Sequence, residues 1–112
     1  MTERVEPSRS WATIPEASTA LRRNRQTIRN HAVDGKIPGA VRDDDEKQRP
    51  WKIPGAYICD EVAKRRGEDP AETFGVKIRW QRQIPRSTDV EFVTRTVWRT
   101  EELAAAARET EK

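Results

Sequence analysis

Four side chains that can hydrogen-bond the edges of nucleic-acid bases lie close together in the sequence: Arg25, Gln26, Arg29 and Asn30. An Arg side chain can donate two bonds to O6 and N7 of guanine, and a Gln or Asn side chain can pair with N6 and N7 of adenine. Because residues three and four apart are neighbours on a helix, this spacing gathers them on one helical face. The pattern predicts a face that reads DNA bases in the major groove. For any one of these residues alone, an ordinary solvated helix face is the alternative.

The element that must carry this face is a short helix with recognisable ends. Asn24 is a favoured N-cap, because its side-chain oxygen accepts a free backbone N–H of the first turn. Gly35 is a favoured stop, because glycine tolerates the left-handed conformation that closes a helix. Ile28 and Ala32 lie four residues apart and give the helix an inward side. The hydroxyl of Thr27 is placed either to bond a phosphate or to bond its own backbone.

Another helix is predicted immediately N-terminal to this one. Thr13 suits its N-cap, and Pro15 and Glu16 suit the first turn, where a missing N–H costs little and negative charge is favoured. Apolar residues then recur at helical spacing: Ile14, Ala17, Ala20 and Leu21. Two helices joined this closely predict a helix-turn-helix. The turn carries Arg22 and Arg23, for which phosphate contact is predicted over plain exposure.

A β-hairpin and a further helix are predicted after the helix-turn-helix. Turn residues and alternating patterns indicate strands over residues 40–43 and 49–54, with Trp51 turned inward. A polar loop joins these strands to form a wing. A helix is expected over residues 56–66, and its last turn is basic, which suits the negative end of a helix dipole.

The predicted organisation has four parts, divided where turn chemistry or composition changes. We expect a flexible N-terminal arm at 1–10, a DNA-binding domain at 11–67, a linker at 68–73 and an appendage at 74–112. The predicted fold class is mostly α with a small β component. It consists of a winged helix-turn-helix, followed by a C-terminal β-hairpin and helix.

The appendage is expected to contain two strands, over 74–84 and 90–99, and a helix over 101–109. Alternation assigns inward side chains to both strands: Val76, Ile78, Trp80 and Ile84, then Val90, Phe92 and Trp98. The same alternation predicts that Arg95 faces outward. Because an isolated hairpin is marginally stable in water, it must pack on its own helix, on the first domain or on another chain.

Two tryptophans of this hairpin have two interpretations that carry equal weight. Trp80 and Trp98 either form a small hairpin core or present an aromatic patch to a protein partner. The second interpretation follows from the enrichment of Trp at binding hot spots.

The composition narrows the class of protein. Of the 112 residues, 37% are charged and 34% are hydrophobic, so the core must be small. Residues 1–67 carry 14 Lys and Arg against 10 Asp and Glu, a cationic excess that suits a polyanionic partner. The single cysteine, Cys59, excludes an internal disulfide and fits a reducing cytosol. The sequence shows neither a membrane-spanning run nor a secretory segment, so we expect a cytoplasmic protein and no membrane partner.

No combination of residues predicts catalysis. The sequence has no Gly-rich phosphate loop, no Ser/His/Asp set and no CxxC pair, so we expect neither an enzyme nor a cofactor. His31 lacks a second ligand candidate and is expected to pack or to make an interhelical hydrogen bond. The acidic run Asp43–Glu46 lacks the spacing of a calcium loop and is expected to be a solvated turn. We therefore predict no metal site and no small-molecule ligand.

Four short blocks together resemble the MerR-like winged helix-turn-helix of excisionases, also called recombination directionality factors, of phages and integrative elements. Their order and spacing agree with that family over residues 12–62. The blocks are Ile14-Pro15-Glu16-Ala17, Arg25-Gln26-Thr27-Ile28-Arg29, Asp34-Gly35-Lys36-Ile37-Pro38 and Trp51-Lys52-Ile53-Pro54.

The resemblance implies an architectural protein that binds double-stranded DNA near an attachment site, together with further copies of itself. Such proteins bend the DNA, contact a tyrosine integrase and favour excision. The resemblance thus implies association with the nucleoid or with phage DNA. The residues expected to contact DNA are Arg22, Arg23, Arg25, Gln26, Thr27, Arg29, Asn30, Lys47, Arg49 and Lys52. A small phage or plasmid transcriptional regulator on the same fold is one alternative. A protein-interaction adaptor that uses the C-terminal hairpin is another.

Three features depart from the pattern of that family. Arg22 and Arg23 stand where the family has a glycine followed by an apolar residue, which adds two cations to the turn. The tip of the predicted wing is acidic over residues 43–46, where a basic tip would enter the minor groove. The chain from residue 74 onward lies outside the resemblance altogether.

Overall fold

Helices and strands follow one another closely along the chain, and the computed structural model describes residues 2–42 and 51–111. A single turn of 3₁₀ helix, Pro70–Glu72, precedes the last two strands. The main elements are β1 (Thr2–Val5), β2 (Trp11–Ala12), α1 (Ile14–Leu21), α2 (Arg25–Val33), β3 (Ile53–Pro54), α3 (Gly55–Arg66), β4 (Gly75–Gln83), β5 (Val90–Trp98) and α4 (Glu101–Thr110).

The prediction of a mostly α fold is wrong, because the described residues form a mixed α and β structure. About 42% of them are helical and 28% lie in strands. The largest sheet has the order β1-β5-β4, with β1 parallel and β4 antiparallel to β5. The first residues, expected to be a flexible arm, therefore supply a strand. Their polar sequence has no alternating pattern of its own, and the strand arises from backbone pairing with β5.

The helix ends agree with the sequence prediction. Thr13 and Glu16 form a reciprocal capping box: the Glu16 backbone N–H donates to Thr13 Oγ1, and the Thr13 backbone N–H donates to Glu16 Oε1 at 3.0 Å. Asn24 Oδ1 accepts from the Gln26 backbone N–H at 2.7 Å. Gly35 has a φ of 74°, and its N–H donates to the Ala32 carbonyl. The predicted start and stop of α2 are confirmed.

One hydrophobic core contains side chains from the N-terminal helices and from the C-terminal hairpin. Buried side chains of the hairpin pack in the same cluster as those of the helices, with Val76, Ile78 and Val97 beside Ile28 and Ile58. The predicted boundary near residue 68 is thus a turn in the chain and leaves the core continuous. A two-stranded hairpin needs a helix or a further strand to cover its apolar face, and here it has both.

The predicted inward face of β5 is wrong. The register sets Val76 opposite Val97 and Ile78 opposite Arg95, so the core side of β5 carries Arg95 together with Val93 and Val97. All three are buried, Arg95 with only 7% of its surface exposed. The alternating pattern predicted the wrong face because arginine was assigned to the solvent side, whereas Arg95 is buried. The ion pair that makes its burial possible joins residues far apart in sequence.

Only part of the predicted wing lies in the described residues. Val41 and Lys52 form one antiparallel bridge, with the Lys52 N–H donating to the Val41 carbonyl at 2.8 Å. β3 then pairs with β2 instead of continuing the hairpin. The predicted acidic tip, residues 43–46, lies outside the described residues.

No helix of the described ranges combines the length and the apolar character needed to cross a bilayer.

Candidate nucleic-acid interface

The outward side of α2 carries the side chains predicted to read DNA. Ile28 is fully buried and Ala32 is 5% exposed, so the predicted inward side of the helix is confirmed. The predicted contact residues of this helix are all exposed: Arg25, Gln26, Thr27, Arg29 and Asn30. The core therefore fixes the rotation of α2 about its axis, and this rotation leaves the polar side free for a ligand.

Two amides occupy the centre of this outward side. At about 100° per residue, Gln26 and Asn30 lie roughly opposite Ile28 and Ala32, whereas Arg25 is on the flank. Gln26 Nε2 donates to Asn30 Oδ1 at 2.9 Å. The bond holds both amides in one orientation on the surface, and an adenine edge would have to replace it.

The turn between α1 and α2 is held in place although it lacks a glycine. Arg22 has φ 53° and ψ 45°, the left-handed conformation that glycine favours, and its backbone N–H donates to the Ser18 carbonyl. The Ser18 hydroxyl donates to the Arg23 carbonyl. The Arg23 guanidinium lies 3.8 Å from a Glu61 carboxylate oxygen of α3. These contacts fix the entry to α2 and leave both guanidinium groups at the surface.

Replacing Arg22 with glycine is expected to change stability and DNA affinity in opposite directions. A left-handed residue with a Cβ costs about 1 kcal/mol, so the free energy of unfolding is expected to rise by about 0.5–1 kcal/mol. The lost cation should lower affinity for every duplex sequence. Thermal melts and duplex titration of the same sample measure both. Arg23→Gly is the control: Arg23 is not in the left-handed conformation, so both quantities should fall. A fall in stability for Arg22→Gly would contradict the expectation.

A cleft joins the start of α2 to the hairpin. It encloses about 370 Å³ beside α1 and is lined by residues that include Arg25, Trp80 and Gln81. Sequence reasoning placed Trp80 and Gln81 in a separate appendage and missed their proximity to the predicted reading helix. No local signal could have found it, because the contact depends on β4 packing along α1.

A buried ion-pair cluster locks α1 onto β5 at the floor of this cleft. Arg95 Nη1 donates to Glu16 Oε2 at 3.0 Å, and Arg95 Nη2 lies 3.6 Å from Glu6. Arg9 Nη1 lies 3.8 Å from the other Glu16 oxygen. Burial, and then the positive charge of Arg95, lower the pKa of Arg9. Since guanidinium groups engage the carboxylates of Glu6 and Glu16, the cluster positions α1 on the sheet, and neither carboxylate is free to act as an acid or base.

The predicted wing cations are only partly described. Lys52 is exposed, and its Nζ lies 4.9 Å from the centre of the Trp11 ring, over which the Arg9 guanidinium also lies at 4.3 Å. Its ammonium group is therefore at the surface, next to the bridge with Val41. Lys47 and Arg49 lie outside the described residues.

Both hairpin tryptophans are half-buried. Trp80 packs against the core cluster, and the ring of Trp98 lies over Gly75. Trp98 Nε1 is buried and has no acceptor within the described residues. The register places Trp80 on the core face of the hairpin and Trp98, opposite Gly75, on the other face. The hairpin-core interpretation therefore fits Trp80 alone. The role of their remaining exposed surface in protein binding stays a prediction.

The remaining chemically notable side chain belongs to the core. Cys59 is fully buried, and burial raises the pKa of its thiol, which keeps it protonated and unreactive. Within the described ranges, no three His, Cys, Asp or Glu side chains converge as a metal site would require.

Comparisons with protein-family models, with curated proteins and with solved structures find no match for this chain. The family resemblance therefore depends on the four sequence blocks alone.

Proposed function

We propose that this protein binds double-stranded DNA in a sequence-specific manner, with α2 in the major groove. The observation that carries the proposal is the outward side of α2, where a hydrogen bond from Gln26 to Asn30 joins the two amides, and Arg25 and Arg29 lie along one flank. All four are base-reading side chains, and a helix that offers them near its N-terminal end suits major-groove entry.

The surroundings of α2 support the same proposal. Arg22 and Arg23 precede the helix in a turn whose backbone is tied to Ser18, so the backbone that carries these two cations is held in place. Contacts of this kind to phosphates set the register of a reading helix on DNA. Lys52 presents a further exposed cation on the predicted wing.

The finer proposal is that DNA binding serves excisive recombination as an excisionase that assists a tyrosine integrase. Its support is the resemblance in the four sequence blocks, three of which include residues of α1, α2 or β3. An excision reaction with purified integrase and its attachment-site DNA separates this role from transcriptional regulation. Stimulation of excision supports the excisionase, whereas specific binding without stimulation favours the regulator.

The DNA-reading assignment predicts unequal effects of Gln26→Ala on specific and non-specific duplexes. Loss of one bidentate base contact is expected to weaken binding to the specific site by about 1–3 kcal/mol, and to leave non-specific affinity nearly unchanged. A footprint of DNA flanking the gene would define the site, and titration of both duplexes would measure the effect. Lys77→Ala is the control, because it removes an exposed side chain of β4. Unchanged specific affinity for both Gln26→Ala and Arg25→Ala would contradict the assignment.

A further inference from the structure

A basic groove lies between the turn and the last turns of α3. Its lining combines residues that are distant in sequence: Leu21, Arg22, Arg23, Glu61, Lys64 and Arg65. The groove encloses about 490 Å³ and opens broadly to solvent. The negative end of the α3 dipole favours cations in the last turn of the helix. The dipole explains a basic last turn, but it does not require Arg22 and Arg23 to lie beside it.

Among the described residues, the groove carries four cationic side chains and one carboxylate. Glu61 is shared between two of the cations, at 3.8 Å from Arg23 and 3.5 Å from Lys64. Side-chain exposure is 67% for Lys64 and 44% for Arg23, but only 22% for Glu61. The cations are thus directed to solvent while their single counter-charge lies lower in the groove. This leaves a net positive, accessible surface.

We propose that the basic groove binds the sugar-phosphate backbone of duplex DNA through Lys64 and Arg65, together with the turn arginines. The inference rests on the proposed DNA-binding function and extends it to α3. The groove adjoins the entry to α2, because its lining includes Arg23, which directly precedes the N-cap Asn24. A backbone that passes the start of α2 therefore reaches this groove next. Exposed cations on an open surface suit phosphates, which release counterions when they are bound.

Glu61 has a specific part in this arrangement. In the free protein its carboxylate holds the ammonium of Lys64 and the guanidinium of Arg23 within 4 Å. A phosphate that enters the groove replaces Glu61 as the partner of both cations, and the negative charge of Glu61 repels it. The carboxylate therefore orders the cations before binding and opposes DNA once it is bound. Its removal should strengthen binding.

The test is titration of a non-specific duplex over a range of salt concentrations. Lys64→Gln and Arg65→Gln are each expected to lower affinity about three- to tenfold near 0.1 M salt, and to reduce the slope of log K against log salt by about one unit. Glu61→Gln is expected to raise affinity by a similar factor. Lys77→Gln removes one lysine from β4, outside the groove, and should change affinity less than Lys64→Gln.

The opposite signs keep the test independent of folding, since a misfolded variant would not bind more tightly. In one outcome, Lys64→Gln and Arg65→Gln leave affinity and slope unchanged while Gln26→Ala still loses specific binding. That result would overturn this inference alone, and it would favour an acidic protein as the ligand of the groove. Failure of the wild-type protein to bind any duplex at low salt would instead overturn the proposed function. Weaker binding in Glu61→Gln would contradict the role given to its carboxylate.

Discussion

Replacing Arg95 with methionine is expected to lower the free energy of unfolding by about 3 kcal/mol or more. The substitution leaves the carboxylate of Glu16, which is 7% exposed, without its 3.0 Å partner. Removing one member of a buried ion pair costs about 3–5 kcal/mol, because the other charge stays desolvated. Arg9, at 3.8 Å, keeps part of the compensation and holds the effect near the lower figure. Denaturant unfolding followed by circular dichroism measures the difference.

Two variants separate the buried pair from the general loss of an arginine. Arg79→Met removes an arginine from β4 whose contact with Glu3, at 3.7 Å, is 56% exposed on both sides. Exposed pairs contribute about 0–1 kcal/mol, so this variant should remain near wild-type stability. The double variant Glu16→Gln/Arg95→Met removes both charges and should recover part of the loss. Equal losses for Arg79→Met and Arg95→Met would contradict the assignment of Arg95 to the core.

Replacing Gly55 with alanine is expected to destabilise the protein by about 3 kcal/mol, against the usual preference of helices for alanine. In a helix this exchange normally stabilises by up to about 1 kcal/mol. Here a Cβ would lie 1.9 Å from the Trp98 carbonyl oxygen and 2.8 Å from that of Ser10. Both are backbone atoms and cannot turn aside, so α3 must move away from β5. The Gly55 N–H, which donates to the Ser10 carbonyl at 2.7 Å, would be strained by the same movement.

Gly35→Ala gives the matched comparison for crowding. Gly35 has a φ of 74°, and an added Cβ would meet no atom within 4 Å. Its replacement should therefore cost only the left-handed penalty of about 1 kcal/mol. Thermal and denaturant unfolding of the two variants are compared in one buffer. A Gly55→Ala variant as stable as wild type would show that the start of α3 does not approach the end of β5 this closely.

Arg95→Met and Gly55→Ala each alter a contact that holds a helix on β5, α1 in the first case and α3 in the second. Both are expected to affect DNA binding only through folding. At temperatures where each variant is folded, its affinity for a specific duplex should equal that of the wild type. This separates them from Gln26→Ala, which is expected to change affinity and leave the unfolding transition nearly unchanged.

The sequence by itself determined the elements whose signals are local. The caps at Thr13 and Asn24 and the stop at Gly35 depend on side chains and backbone within a few residues, and all three were predictable. The two hairpin strands, expected over 74–84 and 90–99, are observed as Gly75–Gln83 and Val90–Trp98 for the same reason. The predicted inward side of α2 followed from its period alone.

Only the tertiary structure decided how these elements combine. β1 forms because β5 offers it a backbone edge. Arg95 can be buried because Glu16, which is 79 residues away in sequence, lies 3.0 Å from it in the fold. The basic groove likewise joins a turn to a helix that begins some thirty residues later. Pairing and charge compensation across such separations leave no periodic trace in a single sequence. The exposed polar side of α2 was therefore predictable from its residues, whereas the sheet that supports it and the groove beside it were not.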